Sequence, residues 1–229
     1  MLNKIEENLI KRGFTPNVRN AIKNSKICII DDGIQDLKSL IKGLKAEGFS
    51  NLVEKKKVNS VNELLQEDYD LIILDITGVA KEISAEDGIG VLSELKRHNP
   101  ALQVLVVSGS SFSPELSQKL SQADLIRNKP VLPSDLSADV EELLKFRKDE
   151  YWAALSILKE LRHLQPDILE KLKFFEKIKL RILQFRITKN LETFDSSIAN
   201  KFIKIADIVT KLGTIGLRVV KISQGFIHP

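Results

Sequence analysis

The chain has 229 residues, 43% of them hydrophobic and 29% charged, with 11 Gly, 7 Pro and a single Cys. That composition excludes an intrinsically disordered chain, and the length suits one or two domains. The lone Cys28 excludes an internal disulfide framework or a paired-cysteine metal site, so a reducing compartment is expected.

Lys4, Glu6, Glu7, Lys11 and Arg12 interrupt every apolar run near the start, which argues against a cleaved leader. No run of about 18 uncharged apolar residues occurs, and the most apolar stretch, 208–227, is broken by Lys211, Arg218 and Lys221. The expectation is a cytoplasmic protein with no transmembrane segment. The net charge of +4 is unevenly spread: residues 1–140 carry 18 Lys+Arg against 20 Asp+Glu (−2), and residues 141–229 carry 17 against 11 (+6). From Lys171 onward the count is 12 against 4 (+8), so the two parts are expected to have different tasks.

In chain order, residues 1–25 read as one or two short helices, with Thr15 as a cap and Pro16 at the first helical position. Residues 26–31 (KICIID) form a short apolar run ending in acids, and 34–47 are periodic at helical spacing. Residues 52–58 alternate weakly as a strand in which Lys55, Lys56 and Lys57 suggest an edge protected by charge; 61–66 form a short helix. Residues 70–75 (DLIILD) are a second buried strand, followed by a helix over 88–98. A third strand, 102–107 (LQVLVV), precedes a helix around 114–121, and a last short strand covers 125–127. Strands that are apolar throughout are covered on both faces. Five of them alternating with helices predict an α/β fold, a five-stranded parallel doubly wound sheet.

From Ser134 the pattern is purely helical. One helix is predicted to run unbroken over 134–165, stopped by Pro166, with Val140, Leu144, Tyr151, Ala154, Leu158 and Leu161 as its apolar stripe. Further helices are predicted over 167–191 and 196–212, while 217–222 fits strand or helix. The organisation expected is an N-terminal extension (1–25), an α/β domain (26–146) and a helical, basic domain (147–229).

In doubly wound sheets the ligand site lies at the carboxyl ends of the strands. Here those ends carry Asp31 and Asp32, Asp75, Ser108 and Lys129. Three carboxylates drawn together repel unless a cation sits among them, and hard oxygen donors with an open coordination sphere suit Mg²⁺. Asp75 would be the nucleophile towards phosphorus, with the metal and Lys129 neutralising the phosphoryl oxygens.

These residues resemble the response-regulator receiver domain of two-component signalling, a flavodoxin-like fold. The matching pieces are IIDD (29–32), DLIILD (70–75), VLVVSGSS (104–111) and ADLIRNKP (123–130), in the family's order and spacing, over roughly residues 26–146. The resemblance implies that Asp75 is the phosphoacceptor, that Asp31 and Asp32 hold Mg²⁺ with help from the Thr77 carbonyl, and that Ser108 is the switch hydroxyl. It implies further that Lys129 binds the phosphate, that Lys129-Pro130 is cis, and that a histidine kinase is the partner. Three positions depart from the pattern: Ile126 stands where a switch aromatic is usual, Gly78-Val79 replaces Met-Pro, and Asp87-Gly88 comes about five residues late.

No motif for a catalytic output occurs in 141–229, so no enzyme activity is expected there. The helical tail makes a homodimer plausible. Its basic stripe of Lys173, Lys177 and Arg181, beside Phe174, Phe175, Ile178, Ile182 and Phe185, also fits a nucleic-acid or acidic protein partner. His163 offers a phosphorelay alternative, and a receiver that keeps the fold without the reaction would act as a scaffold. His98 and His228 read as surface residues, and Cys28, inside a strand, as an inert apolar group.

Overall fold

The structure, a computed structural model, describes residues 2–99, 102–109, 114–162, 170 and 174–194. The chain divides into two compact units, one spanning Arg19–Leu144 and the other combining Met1–Val18 with Lys145–Pro229.

The first unit is built on five parallel strands, β1 (Ile27–Ile30), β2 (Leu52–Lys55), β3 (Leu71–Asp75), β4 (Gln103–Ser108) and β5 (Leu125–Asn128), in the order β2-β1-β3-β4-β5. The predicted α/β class and strand count agree with this. Every residue of β1, β3 and β4 is buried, as continuous apolar runs require, while the edge strands β2 and β5 are only half-buried. Helices α3 (Ile34–Ala46), α4 (Val61–Gln66), α5 (Gly88–His98), α6 (Pro114–Leu120) and α7 (Pro133–Lys148) alternate with the strands. Val91, Leu92 and Leu95 of α5 join Ile72, Leu74, Val104 and Val106 in the core. Burying such a side chain contributes about 1.5–3 kcal/mol. Beta2 ends at Lys55, short of the predicted Val58, because the Val58 amide donates instead to the Val79 carbonyl at 2.7 Å.

Polar side chains fix two of the strands. Arg127 on β5 forks onto Asp139 of α7 with both bonds at 2.6 Å. Asp124 accepts the Val104 amide at 2.8 Å and pairs with Lys96 of α5.

The second unit contains α1 (Leu2–Arg12), α8 (Glu150–Arg162) and α9 (Phe174–Thr193), and α2 (Pro16–Lys23) begins in it. The Thr15 hydroxyl caps α2 by accepting the Val18 amide at 3.3 Å, as its position before Pro16 predicts. The single helix predicted over 134–165 is instead two. Asp149 breaks it: its carboxylate accepts the amides of Tyr151 (2.9 Å) and Trp152 (3.3 Å), so it starts α8 as an N-cap where α7 ends. The predicted helix over 167–191 corresponds to α9, which ends before Phe194 in the left-handed region (φ 50°). The helix predicted over 196–212, the segment 217–222, His163 and His228 lie outside the described residues.

Both α1 and α9 pack on α8. Ile5 and Leu9 of α1, Leu155 and Leu158 of α8, and Leu180, Ile187 and Leu191 of α9 are buried. Arg12 pairs with Asp149 and places its guanidinium 4.6 Å from the Tyr151 ring centre, and the Tyr151 hydroxyl donates to the Phe194 carbonyl at 2.8 Å. Trp152 is buried, edge-on to Phe146 at 6.0 Å, with the Lys145 ammonium 3.7 Å above its ring. Among the described residues, no helix is long and apolar enough to cross a membrane.

Candidate phosphoryl-transfer site at the strand ends

Strand register brings the polar residues level. Ile30 pairs with Leu74, Asp75 with Val107, and Ser108 with Asn128, so Asp31, Asp75, Ser108 and Lys129 all sit where their strands leave the sheet. The chain runs from β1 outward to β2 and then back across to β3, so Asp31 and Asp75 flank the point where the strand order reverses.

Asp31 is 2% exposed and Asp75 is 6% exposed, while Asp32 faces solvent. One carboxylate oxygen from each lies within 4.8 Å of the others, close enough to hold one metal ion. The Lys129 ammonium bridges Asp31 and Asp75 at 2.7 Å each. The remaining oxygens are held by backbone: Asp31 Oδ1 accepts the Gly33 amide at 2.9 Å, and Asp75 Oδ1 accepts the Thr77 amide at 3.0 Å. Burial opposes the charge on Lys129, but its hydrogen bonds to Asp31 and Asp75, with their negative charge, outweigh it and hold the ammonium above its ordinary pKa. Among the described residues, three carboxylates therefore face one fixed cation. The donor set fits a hard divalent ion such as Mg²⁺, with Asp32 on the open side.

Ser108 is buried at the end of β4, one strand from Asp75, and its carbonyl accepts the Lys129 amide at 2.8 Å. The Lys129-Pro130 peptide is cis. Thr77 is exposed just beyond Asp75. A cleft of about 280 Å³ opens beside Lys129, lined by Ser39, Leu40, Val107, Pro130 and Val131. Ile126 is half-buried and packs on the core. His98 is exposed at the end of α5, 3.4 Å from Glu94. Cys28 is buried within β1, and burial pushes its thiol up to about 11, which removes it as a nucleophile at neutral pH.

Sequence reasoning identified the late Asp87-Gly88 but not its task. Asp87 takes an unusual backbone conformation (φ 52°, ψ −133°), and its carboxylate accepts the amides of Gly78 (2.5 Å) and Ala80 (2.6 Å). It thereby ties down the loop that follows Asp75, with Val79 and Ala80 buried beneath. Gly78 adopts φ 86°, and a side chain there would collide with the Asp32 carboxylate. At Gly88 a Cβ would lie 2.5 Å from the Ile76 Cα, so close approach to backbone requires glycine there, while at Gly78 the positive φ favours it. The one signal in the sequence was an Asp-Gly pair before a helix.

The family model of the response regulator receiver domain matches residues 27–141, half of the chain. No curated protein matches it. Similar solved structures include a CheY-like response regulator receiver domain protein from Methanospirillum hungatei JF-1, 25% identical over 53% of this chain and 94% of that one, with a TM-score of 0.44. The receiver domain of NtrX from Brucella abortus is 22% identical over 52% and 96%, with a TM-score of 0.45. The receiver domain of the Francisella response regulator 1452 is 20% identical over 53% and 98%, with a TM-score of 0.46. Through residues 27–141, with the strand-end acids and lysine just described, the chain belongs to the response regulator receiver domain family.

Proposed function

We propose that this receiver accepts a phosphoryl group on Asp75 from the phosphohistidine of a histidine kinase, and that the modification controls what the helical unit binds. The observation that carries the reading is Lys129 joined at 2.7 Å to both Asp31 and Asp75 inside a cluster of three carboxylates. In the transfer, the P–N bond of the donor breaks as a bond forms between phosphorus and a carboxylate oxygen of Asp75. The imidazole nitrogen keeps the electron pair and ends protonated. Asp31, Asp32 and Asp75, with the Thr77 carbonyl, would hold Mg²⁺, which neutralises phosphoryl oxygens when bound. Lys129 is already in contact with Asp75 and would turn to the new phosphoryl oxygens, because these carry more negative charge than the carboxylate they replace. Ser108 is the hydroxyl proposed to answer the new charge.

The helical unit has no proposed chemistry of its own. Its output would be a change in self-association or partner binding, for which a coupling of about 1–3 kcal/mol suffices. The test is incubation with acetyl phosphate and Mg²⁺, followed by intact mass and solution size. One phosphoryl increment in the wild type and none in Asp75→Asn is expected. An unchanged wild-type mass, or an increment retained by the variant, would overturn the reading.

A further inference from the structure

An aspartate at the start of a helix ordinarily caps that helix. Asp87 stands at the N-cap of α5 yet makes no side-chain capping bond there. Its carboxylate turns instead to the loop behind Asp75, where Oδ2 accepts the Gly78 amide at 2.5 Å and Oδ1 the Ala80 amide at 2.6 Å. The backbone pays for this placement, because φ 52° with ψ −133° is a region where glycine is at ease and a side chain is strained. Glycine would relieve the strain, so the position is using the carboxylate. The Gly78 amide and the Thr77 carbonyl belong to one peptide unit, and in a trans peptide they point in opposite directions. Among the described residues the only cis peptide is Lys129-Pro130. Gripping the Gly78 amide therefore turns the Thr77 carbonyl away from Asp87. The flanking peptides are fixed as well: the Thr77 amide donates to Asp75 Oδ1 at 3.0 Å, the Gly88 amide to the Ile76 carbonyl at 3.2 Å, and the Val58 amide to the Val79 carbonyl at 2.7 Å. Gly78 also lies against the Asp32 carboxylate, so the same peptide meets both Asp87 and an acid of the cluster.

We propose that Asp87 is a positioning residue for the divalent ion: by holding the Thr77–Gly78 peptide it aims the Thr77 carbonyl as a ligand beside Asp31, Asp32 and Asp75. This role rests on the reading of those three acids as a Mg²⁺ site, and it adds a residue that touches neither the ion nor the phosphoryl group. A peptide carbonyl is a neutral donor that binds only if it is presented at the right angle, and Mg²⁺ demands near-ideal octahedral geometry. Outer partners that orient ligands therefore set metal affinity without contacting the metal. With the carboxylate gone, the peptide is free to rotate and water takes the carbonyl's place.

The test is isothermal titration of the full chain with MgCl₂ and, separately, with CaCl₂, for the wild type, Asp87→Gly and Asp87→Asn. Urea unfolding of each, followed by circular dichroism, reports stability independently. Asp87→Gly deletes the carboxylate but suits the backbone, so its urea midpoint should fall only slightly. Its Mg²⁺ dissociation constant should rise about tenfold or more. Ca²⁺ affinity should fall less, because Ca²⁺ accepts a flexible ligand geometry. Asp87→Asn keeps one acceptor oxygen and should lie between, and it decides the matter if the glycine variant does not fold. Variants that bind Mg²⁺ as tightly as the wild type, or that lose both ions equally, would overturn the positioning role and leave the metal site standing. A wild type that binds no Mg²⁺ would overturn the metal reading and this role with it.

Discussion

Asp149 and Asp75 are both buried carboxylates, and the two units treat them in opposite ways. In the helical unit Asp149 is 1% exposed and fully answered: the Arg12 guanidinium on one side and the amides of Tyr151 and Trp152 on the other. In the receiver, Asp75 shares a single lysine with Asp31 and has Asp32 as a third acid close by. A satisfied buried charge serves as a structural joint, while crowded carboxylates around a single lysine are the arrangement on which the proposed metal and phosphoryl chemistry rests. The contrast separates architecture from chemistry without any appeal to which residues are titratable, since both places are rich in them.

The largest effect should come from breaking the satisfied pair. Arg12→Ala leaves Asp149 buried and uncompensated, and a loss of about 3–5 kcal/mol is expected in urea unfolding followed by Trp152 fluorescence. Adding Mg²⁺ should recover none of it. Lys129→Ala strips the receiver cluster of the ammonium that bridges Asp31 and Asp75, with an expected loss of about 3 kcal/mol. There millimolar Mg²⁺ should restore much of the stability, because an ion that binds only the folded state adds to it by mass action. Equal responses of the two variants to Mg²⁺ would erase the distinction.

Cys28 sharpens the comparison as an acid whose burial outweighs the lysines that act on it. Burial raises its thiol from 9.0 to about 11, so the folded state resists ionisation that the unfolded chain allows. The stabilisation is fully present below pH 9.0 and is lost as pH rises towards about 11. That rise in pKa corresponds to roughly 2–3 kcal/mol. The stability gap between wild type and Cys28→Ala should shift by that amount between pH 8 and pH 11, and a flat gap would contradict it. The smallest effect belongs to Arg127→Ala. Its partner Asp139 is buried but the arginine is half exposed, so solvent screening limits the loss to about 1 kcal/mol by urea midpoint.

Much of the receiver was legible because each signal is local. A strand covered on both faces is an unbroken apolar run, and its polar terminus marks the strand end, so IIDD and DLIILD announce both the sheet and the acids. The join at Asp149 was not legible. The apolar stripe keeps step from Val140 through Leu158, and a polar residue on that path reads as a solvated turn of helix. Only its contact with the Tyr151 and Trp152 amides makes it a cap. The pairing of Arg12 with Asp149 joins residues 137 positions apart. Neither an amphipathic α1 nor an amphipathic α8 specifies the other as its partner. Asp87 was visible as a residue, but its two bonds depend on how the loop closes, which periodicity does not encode.

That closure bears on how the chain tolerates change next to its most sensitive residue. Extra length in a loop is thermodynamically cheap: each doubling costs only about 0.6 kcal/mol in closure entropy. Two carboxylate-to-amide bonds of about 1–2 kcal/mol each more than offset it. Asp87 therefore acts as a staple that lets the segment beyond Asp75 gain residues while the end of β3 stays in register. Residues could be added to this stretch without moving Asp75, as long as the staple survives.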